Sequence, residues 1–306
     1  MSEQWPTTTT PRCAIPGGGE PGLHICQGSK VRQMDDALFV PNGEAWLPTS
    51  ASRGPWSPDA LHGGPVAALL ARAVEQCDEP GAGAPAAAMS VVRLTVELLR
   101  PVPLAPLDVQ AHVTRPGRKV QIVDVRLGSE GRDLAWARAV RIRRLDPSDP
   151  EATAFDRHRP ERDASVLPDP ALGVPGPTIL DTYPAFHNGG AELRFVTGSF
   201  DTPGPCTVWT RLLLPIVPGE EPSPAQRAAA GADFGNGVSA VLPFDRWRFV
   251  NPDLTVVLER PPAGQWIALQ AVTDLGEPGI AVARSVLWDV SGPCGTATQT
   301  LLVETR

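Results

Sequence analysis

The chain repeats itself. "RLTVELLRP" at 93–101 and "DLTVVLERP" at 253–261 share six of nine residues at an offset of 160. Leu94, Val96 and Leu98 alternate with other residues, as do Leu254, Val256 and Leu258, which is the period of a strand with one buried face. Each stretch ends in Arg-Pro, and proline, having no N–H, stops a ladder. A fold for these 306 residues must therefore accommodate two similar halves.

A helix candidate lies ahead of each strand. In "LHGGPVAALLARAVEQ" (61–76), Val66, Leu69, Leu70, Ala73 and Val74 form one apolar stripe that Cys77 continues. Pro65 suits the first turn, where a missing N–H costs nothing. In "SPAQRAAAGADFGNG" (223–237), Ser223 is an N-cap and Pro224 takes the first helical position. The two prolines are 159 apart. After each strand come long β-like runs, 107–114, 119–127 and 134–143, then 265–272, 279–289 and 297–304, with glycine turns between the last two of each set. The expected architecture is α+β, one helix followed by a meander of antiparallel strands, done twice, with a sheet wrapped around each helix.

The remaining segments divide the chain. Residues 1–34, with "TTTTP" and "GGGEPG", have little to bury and read as a flexible arm. Residues 146–184 read as a linker, with seven prolines between Asp146 and Thr178. This leaves halves at 35–145 and 185–306.

Net charge is −7 and only Lys30 and Lys119 are lysines, so no basic stripe marks a nucleic-acid partner. Apolar runs fall well short of the ~20 residues of a membrane span, and no signal peptide is evident. The five cysteines are widely spaced, with no C-x-x-C and no zinc-like cluster. No metal is expected, Cys77 reads as a small core residue, and a reducing cytoplasm is the default.

In layout the chain resembles the double hot-dog acyl-CoA thioesterases, the thioesterase II-like group. The resemblance rests on "HGGPVAALLARAV" after Trp56, "RLTVELLRP", "NPDLTVVLERPP" and the ending "GIAVARSVLWDVSGPCGTATQTLLV". It implies a tandem hot-dog fold and hydrolysis of an acyl-CoA or acyl-carrier thioester, without a metal or redox cofactor. It also implies a water held by an aspartate, a hydroxyl residue and a glutamine. Asp233 matches the aspartate and Gln299 the glutamine. The hydroxyl position falls on Asn251, with Thr255 the nearest hydroxyl, and alternation along a strand would put both on one face. A monomer and a homo-oligomer both stay open.

The duplication offers a separate filter: residues kept in both copies serve folding, and polar residues present in one copy are site candidates. Asp233 falls opposite Val74 or Ala73, on a core stripe where a carboxylate is costly unless paired or used. Asn251 falls opposite Val91. Aligning Gly131 with Gly292 puts Gln299 opposite Arg138. Thr255 recurs as Thr95, which favours a plain strand role. Three polar residues unique to the second half point to one site.

Each candidate has a plainer reading. Asp233 could end a helix, Gln299 could be an exposed strand residue, and Asn251 before Pro252 could be turn chemistry. His62, at a helix entrance, reads as structural. Arg72, Arg115 and Arg118 are candidates for CoA phosphates or for a solvated surface, and Trp56 and Trp247 for core or pocket wall. Gly63 and Gly64 leave backbone N–H groups bare at a helix start, where one of them could donate to a thioester oxygen. The rival functions are a hot-dog dehydratase and a non-hydrolytic acyl-thioester binder. No histidine here has an aspartate five residues before it, as the hydratase pattern needs, and no G-x-S-x-G occurs for an α/β-hydrolase.

Overall fold

A computed structural model describes residues 36–146, 148, 167–176 and 183–306. The expected arm at 1–34 and most of the expected linker at 146–184 lie outside the described residues. In the first half a hairpin, β1 (Phe39–Asn42) and β2 (Ala45–Pro48), precedes α1 (Gly63–Gln76). Then come β3 (Met89–Leu98), β4 (Asp108–Arg115), β5 (Val120–Ser129) and β6 (Arg132–Arg143). The second half opens with β7 (Val174–Pro175), β8 (Ala191–Ser199) and β9 (Thr202–Leu212). Its helix follows, as α2 (Pro224–Ala232) and α3 (Phe234–Val238). β10 (Trp247–Val250), β11 (Asp253–Leu258), β12 (Ile267–Leu275), β13 (Ile280–Asp289) and β14 (Gly292–Thr305) complete the chain.

The repeated strands find each other. β3 and β11 pair antiparallel, with Thr95 directly opposite Thr255 and Leu94 opposite Val256. Residues 160 apart in sequence thus face each other across a local two-fold axis, and their hydroxyls meet at 3.2 Å. This pairing joins the expected two sheets into one 12-stranded sheet, ordered β4-β5-β6-β3-β11-β14-β13-β12-β9-β8-β7, with β10 added against β14. Asp35–Arg306 accordingly forms one compact unit.

Apolar positions of the strands and the stripe of α1 close on one main core. Val66, Leu69, Leu70 and Val74 meet Leu94, Val96, Leu254 and Val256 there. α1 and α2 pack directly on each other, and their small residues allow it. A Cβ on Gly64 would lie 2.5 Å from the carbonyl oxygen of Ala230.

The strand register corrects one alignment. β3 pairs Thr95 with Arg138, and β11 pairs Thr255 with Thr298. The counterpart of Arg138 is therefore Thr298, and Gln299 corresponds to the fully buried Ala139. Gln299 stands at an inward, core-facing position that its own duplicate fills with a methyl group.

Candidate active site

Asp233 sits where the second helix breaks. It is the single residue between α2 and α3, at φ −70° and ψ −14°, and its side chain caps neither helix segment. Glycines follow at 235 and 237, poor helix formers that shorten α3 to one turn and a half. The break aims the carboxylate at the N-terminus of the antiparallel α1. It is 8 % exposed, so its charge needs partners.

Three side chains from three other elements supply them. Asn251 Nδ2 donates to Asp233 Oδ1 at 2.8 Å. Gln299 Nε2 donates to the same oxygen at 3.0 Å. His62 Nδ1 lies 2.8 Å from Asp233 Oδ2. The orientation of the Gln299 amide is fixed from behind, because its Oε1 accepts the backbone N–H of Asn236 at 3.0 Å. A backbone N–H can only donate, so Nε2 must face the carboxylate. Gly235 makes this approach possible, since a Cβ there would fall 3.2 Å from Gln299 Oε1 and 2.9 Å from Ser285 Oγ.

Asn251 reaches inward because the strand is interrupted beside it. β10 and β11 pair in succession with β14, and the gap between them is Asn251–Pro252. Pro252 has no N–H for the ladder, and the Asp253 carboxylate takes the Thr300 N–H at 2.8 Å. Alternation therefore does not run through from 251 to 255. Thr255 bonds Thr95 on the two-fold axis while its neighbours Leu254 and Val256 face the core. The structure does not bring Thr255 to Asp233, contrary to the expectation that both positions share a face.

His62 is more than the structural neighbour the sequence suggested. Its ring is packed by Phe234 and Phe186, with centroids 4.8 and 5.1 Å away. Its Nδ1 is also the acceptor that caps α1, taking the Gly64 N–H at 3.1 Å. One ring nitrogen carries either a proton or a lone pair. It caps Gly64 with a lone pair or donates to Asp233 with a proton, so the location of one proton selects between the two contacts.

The two glycines separate. Gly63 lies against Asp233: an added Cβ would meet Oδ2 at 2.7 Å and Oδ1 at 2.8 Å. Its N–H has no acceptor among the described residues, and it lines the cavity beside the carboxylate. Gly64 packs on Ala230 and its N–H is spent on His62. Its missing side chain serves helix packing, which corrects the expectation that either glycine could offer a bare N–H.

The cavity holds about 620 Å³. Asp233, His62, Gly63, Asn236 and Asn251 lie along it with the apolar Val66, Leu98, Val102, Phe200 and Phe249. Trp56 forms part of the wall, packed on Phe244 with centroids 5.0 Å apart. The exposed arginines Arg100, Arg248 and Arg306 also line it. Of the arginines singled out in the sequence, none does. Arg72 is buried, bonded to Glu220 at 2.6 and 2.7 Å, and Arg115 and Arg118 belong to the β4–β5 hairpin. Trp247 belongs to β10 and packs with Phe249 in a smaller apolar cluster. Burial pushes the Cys77 thiol up to about 11 and those of Cys206 and Cys294 to about 12, so none of the three presents a thiolate near neutral pH. Among the described residues no group of three or more His, Cys, Asp or Glu could hold a metal ion, and no helix is long and apolar enough to cross a membrane.

Comparison with known families places this site in context. Residues 52–143 match the family model for the acyl-CoA thioesterase N-terminal domain. Residues 160–303 match the model for the acyl-CoA thioesterase C-terminal domain. The chain belongs to the acyl-CoA thioesterase family. As a member of it, the protein is a thioester hydrolase. Among solved structures, a hot dog fold protein from Alicyclobacillus acidocaldarius is 19% identical, with a TM-score of 0.65 over 89% of this chain and 98% of its own. The tesB protein MAP1729c of Mycobacterium avium subs paratuberculosis is 13% identical, with a TM-score of 0.59 over 87% of this chain and 95% of its own. Acyl-CoA thioesterase II TesB2 from Mycobacterium marinum is 15% identical, with a TM-score of 0.57 over 81% and 90% of the two chains. These likenesses establish the double hot-dog fold. No curated protein sequence matches the chain.

Proposed function

We propose that the thioesterase hydrolyses acyl-CoA with Asp233 as general base. The observation that carries this reading is the carboxylate itself, buried at a break in the helix, spent on no cap, and facing a cavity with partners from three elements. Water donates one proton to Asp233 as its oxygen attacks the thioester carbon. A C–O bond forms, the C–S bond breaks, and the proton passes to the departing sulfur, giving a carboxylic acid and a free thiol. Asn251 and Gln299 hold one carboxylate oxygen, so water would approach the other, whose one polar contact among the described residues is the His62 ring. His62, 2.8 Å from that second oxygen, can share the proton while the intermediate lasts.

The thioester oxygen gains charge in the intermediate and needs donors already in place. The Gly63 N–H, at the N-terminus of the 14-residue α1, is unspent and beside Asp233. An acyl chain fits the apolar wall of Val66, Val102 and Phe249. Arg100 and Arg248, at the same cavity and exposed, suit the phosphates of CoA.

The test is thiol release from a panel of acyl-CoAs of increasing chain length. Turnover of at least one, lost in Asp233→Ala, is the expected result. Tight binding of acyl-CoA without thiol release would overturn the reading in favour of a non-hydrolytic binder.

A further inference from the structure

Asn236 lines the same cavity one helical turn beyond Asp233, and nothing so far has given its side chain a task. The residue is 5 % exposed. Its backbone N–H is spent on Gln299. Its side-chain Oδ1 is buried and meets no donor among the described residues, and no hydrogen bond from its Nδ2 to any of them exists. A buried amide carbonyl without a donor costs about 1–3 kcal/mol. Leucine or alanine would avoid that cost, so a buried asparagine left in this state needs a reason.

The accounting of donors around Asp233 supplies one. A developing oxyanion is best held by two donors. α1 can offer a single N–H, since Gly64 is capped by His62 and Pro65 has none. Of the three side-chain amides around Asp233, those of Asn251 and Gln299 already donate to its Oδ1. The amide of Asn236 is the one not committed. It is carried on the short helix that begins directly after the proposed base and is anchored through its own backbone to Gln299.

We infer that Asn236 is a catalytic residue, its Nδ2–H donating to the thioester oxygen as the second partner of the oxyanion beside the Gly63 N–H. This rests on the reading of Asp233 as general base. The unpaired Oδ1 is then the cost of turning the donor toward the cavity. In the tetrahedral intermediate both N–H groups point at one oxygen, while the attacking water enters from the side of Asp233 Oδ2.

The test uses Asn236→Leu, which keeps the volume, and Asn236→Ala, which guards against overpacking. Each is assayed with the acyl-CoA that the wild type turns over fastest. Two inhibitors are titrated beside it: an S-alkyl-CoA thioether, which has no carbonyl oxygen, and a CoA trifluoromethyl ketone, which mimics the oxyanion. The expected loss in kcat is on the order of 10²-fold, as for removal of one oxyanion donor. Affinity for the ketone should fall by a similar factor and affinity for the thioether should hold. Unchanged kcat in a folded variant overturns the proposal, and so does equal weakening of both inhibitors, which marks a structural role. If Asp233→Asn is inactive while the Asn236 variants turn over normally, only the Asn236 proposal fails. A wild type that releases thiol from no thioester overturns both readings.

Discussion

His62 Nδ1 lies 2.8 Å from Asp233 Oδ2, joining the first residue before α1 to the first residue after α2. The other end of the antiparallel helix pair repeats the contact with different chemistry. There Ser223, the N-cap of α2, donates from Oγ to Glu75 near the end of α1, at 2.7 Å. At each pole one helix's N-cap meets a carboxylate from the other's final turn. Only the Asp233 pole opens on the large cavity. Its counterpart is closed by Gln226 Nε2, 2.8 Å from Glu75, and nearby the buried Arg141 bonds the carbonyls of Val74 and Cys77 at 2.9 Å each. A symmetric scaffold thus carries one candidate site, because only the Asp233 carboxylate borders the cavity, while both Glu75 oxygens are bonded within the helix pair.

Asp233→Asn should be inactive and folded. The substitution keeps an oxygen for the Asn251 and Gln299 donors and offers an N–H to His62 Nδ1, but it cannot accept a proton from water. Loss of a general base typically costs 10²–10⁴-fold, so kcat for acyl-CoA should fall by about that much. The melting temperature should hold within a few degrees, a check that separates lost chemistry from lost fold.

Gly63→Ala and Gly64→Ala should fail in different ways. A Cβ at 63 is driven into the Asp233 carboxylate, so the mutant should keep its stability and lose most of its turnover as Asp233 moves aside. A Cβ at 64 meets the backbone of α2, which cannot swing away as a side chain can. Overpacking of this kind costs about 1–3 kcal/mol, and Gly64→Ala should show it in denaturant melts. Equal effects of the two on kcat and stability would refute the separate roles.

The fold was legible in the sequence and the site only partly so, for a physical reason. Buried faces impose periodicity, and β3 and β11 at an offset of 160, with the helix prolines at 159, are visible in the sequence alone. β9 carries no such periodic signal at its start, where Pro203, Gly204 and Pro205 are residues typical of turns, although the strand runs on through Trp209 into the core. The one-sided polarity of Asp233 and Asn251 was also readable from the duplicate, whereas the sequence alignment sets Gln299 opposite Arg138 and only the strand register gives Ala139 as its counterpart. His62 was not, because its contact with Asp233 spans two halves of the chain and leaves no local pattern. Thr255 misled because alternation was carried across Pro252, where the ladder stops. Asn236 had a signal in hand, a polar residue three positions after Asp233 in "DFGNG", where the helical period returns to the same face.

Arg100 should matter for the carrier and not for the chemistry. Its duplicate, Arg260, is clamped by Asp289, with Nη2 2.7 Å from Oδ1. Burial works against the charge of Asp289, yet Arg260 and the N–H groups of Ala263 and Ser291 hold its carboxyl below the usual range. In the first half the position of Asp289 is Ser129, whose hydroxyl bonds Pro106 at 2.8 Å, and Arg100 lies exposed at the cavity. Arg100→Ala should lower kcat/KM for acyl-CoA about tenfold, the effect of losing one charge-assisted contact. It should leave the same acyl group on N-acetylcysteamine, which has no phosphate, unchanged. An equal loss on both thioesters would place Arg100 in the fold and not at the CoA end.

The closed pole should be visible as a pH-dependent strain on stability. Burial holds the Glu75 carboxyl above the usual carboxylate range, with the bonds from Ser223 and Gln226 only partly opposing it. A carboxyl raised in the folded state binds its proton more tightly there than in the unfolded chain. Its contribution to stability is therefore full below the unfolded value, about 4.3, and is lost as pH rises through the folded one. Glu75→Gln keeps an acceptor for Ser223 and carries no charge to bury. In thermal melts between about pH 4 and 7 the wild type should lose stability relative to Glu75→Gln as pH rises, while thiol release by the variant stays at the wild-type level. A constant gap across that range would mean that Ser223 and Gln226 fully offset the desolvation of Glu75. A loss of turnover would mean that the two poles are coupled through the helix pair, so that the carboxylate at one end helps to set the position of Asp233 at the other.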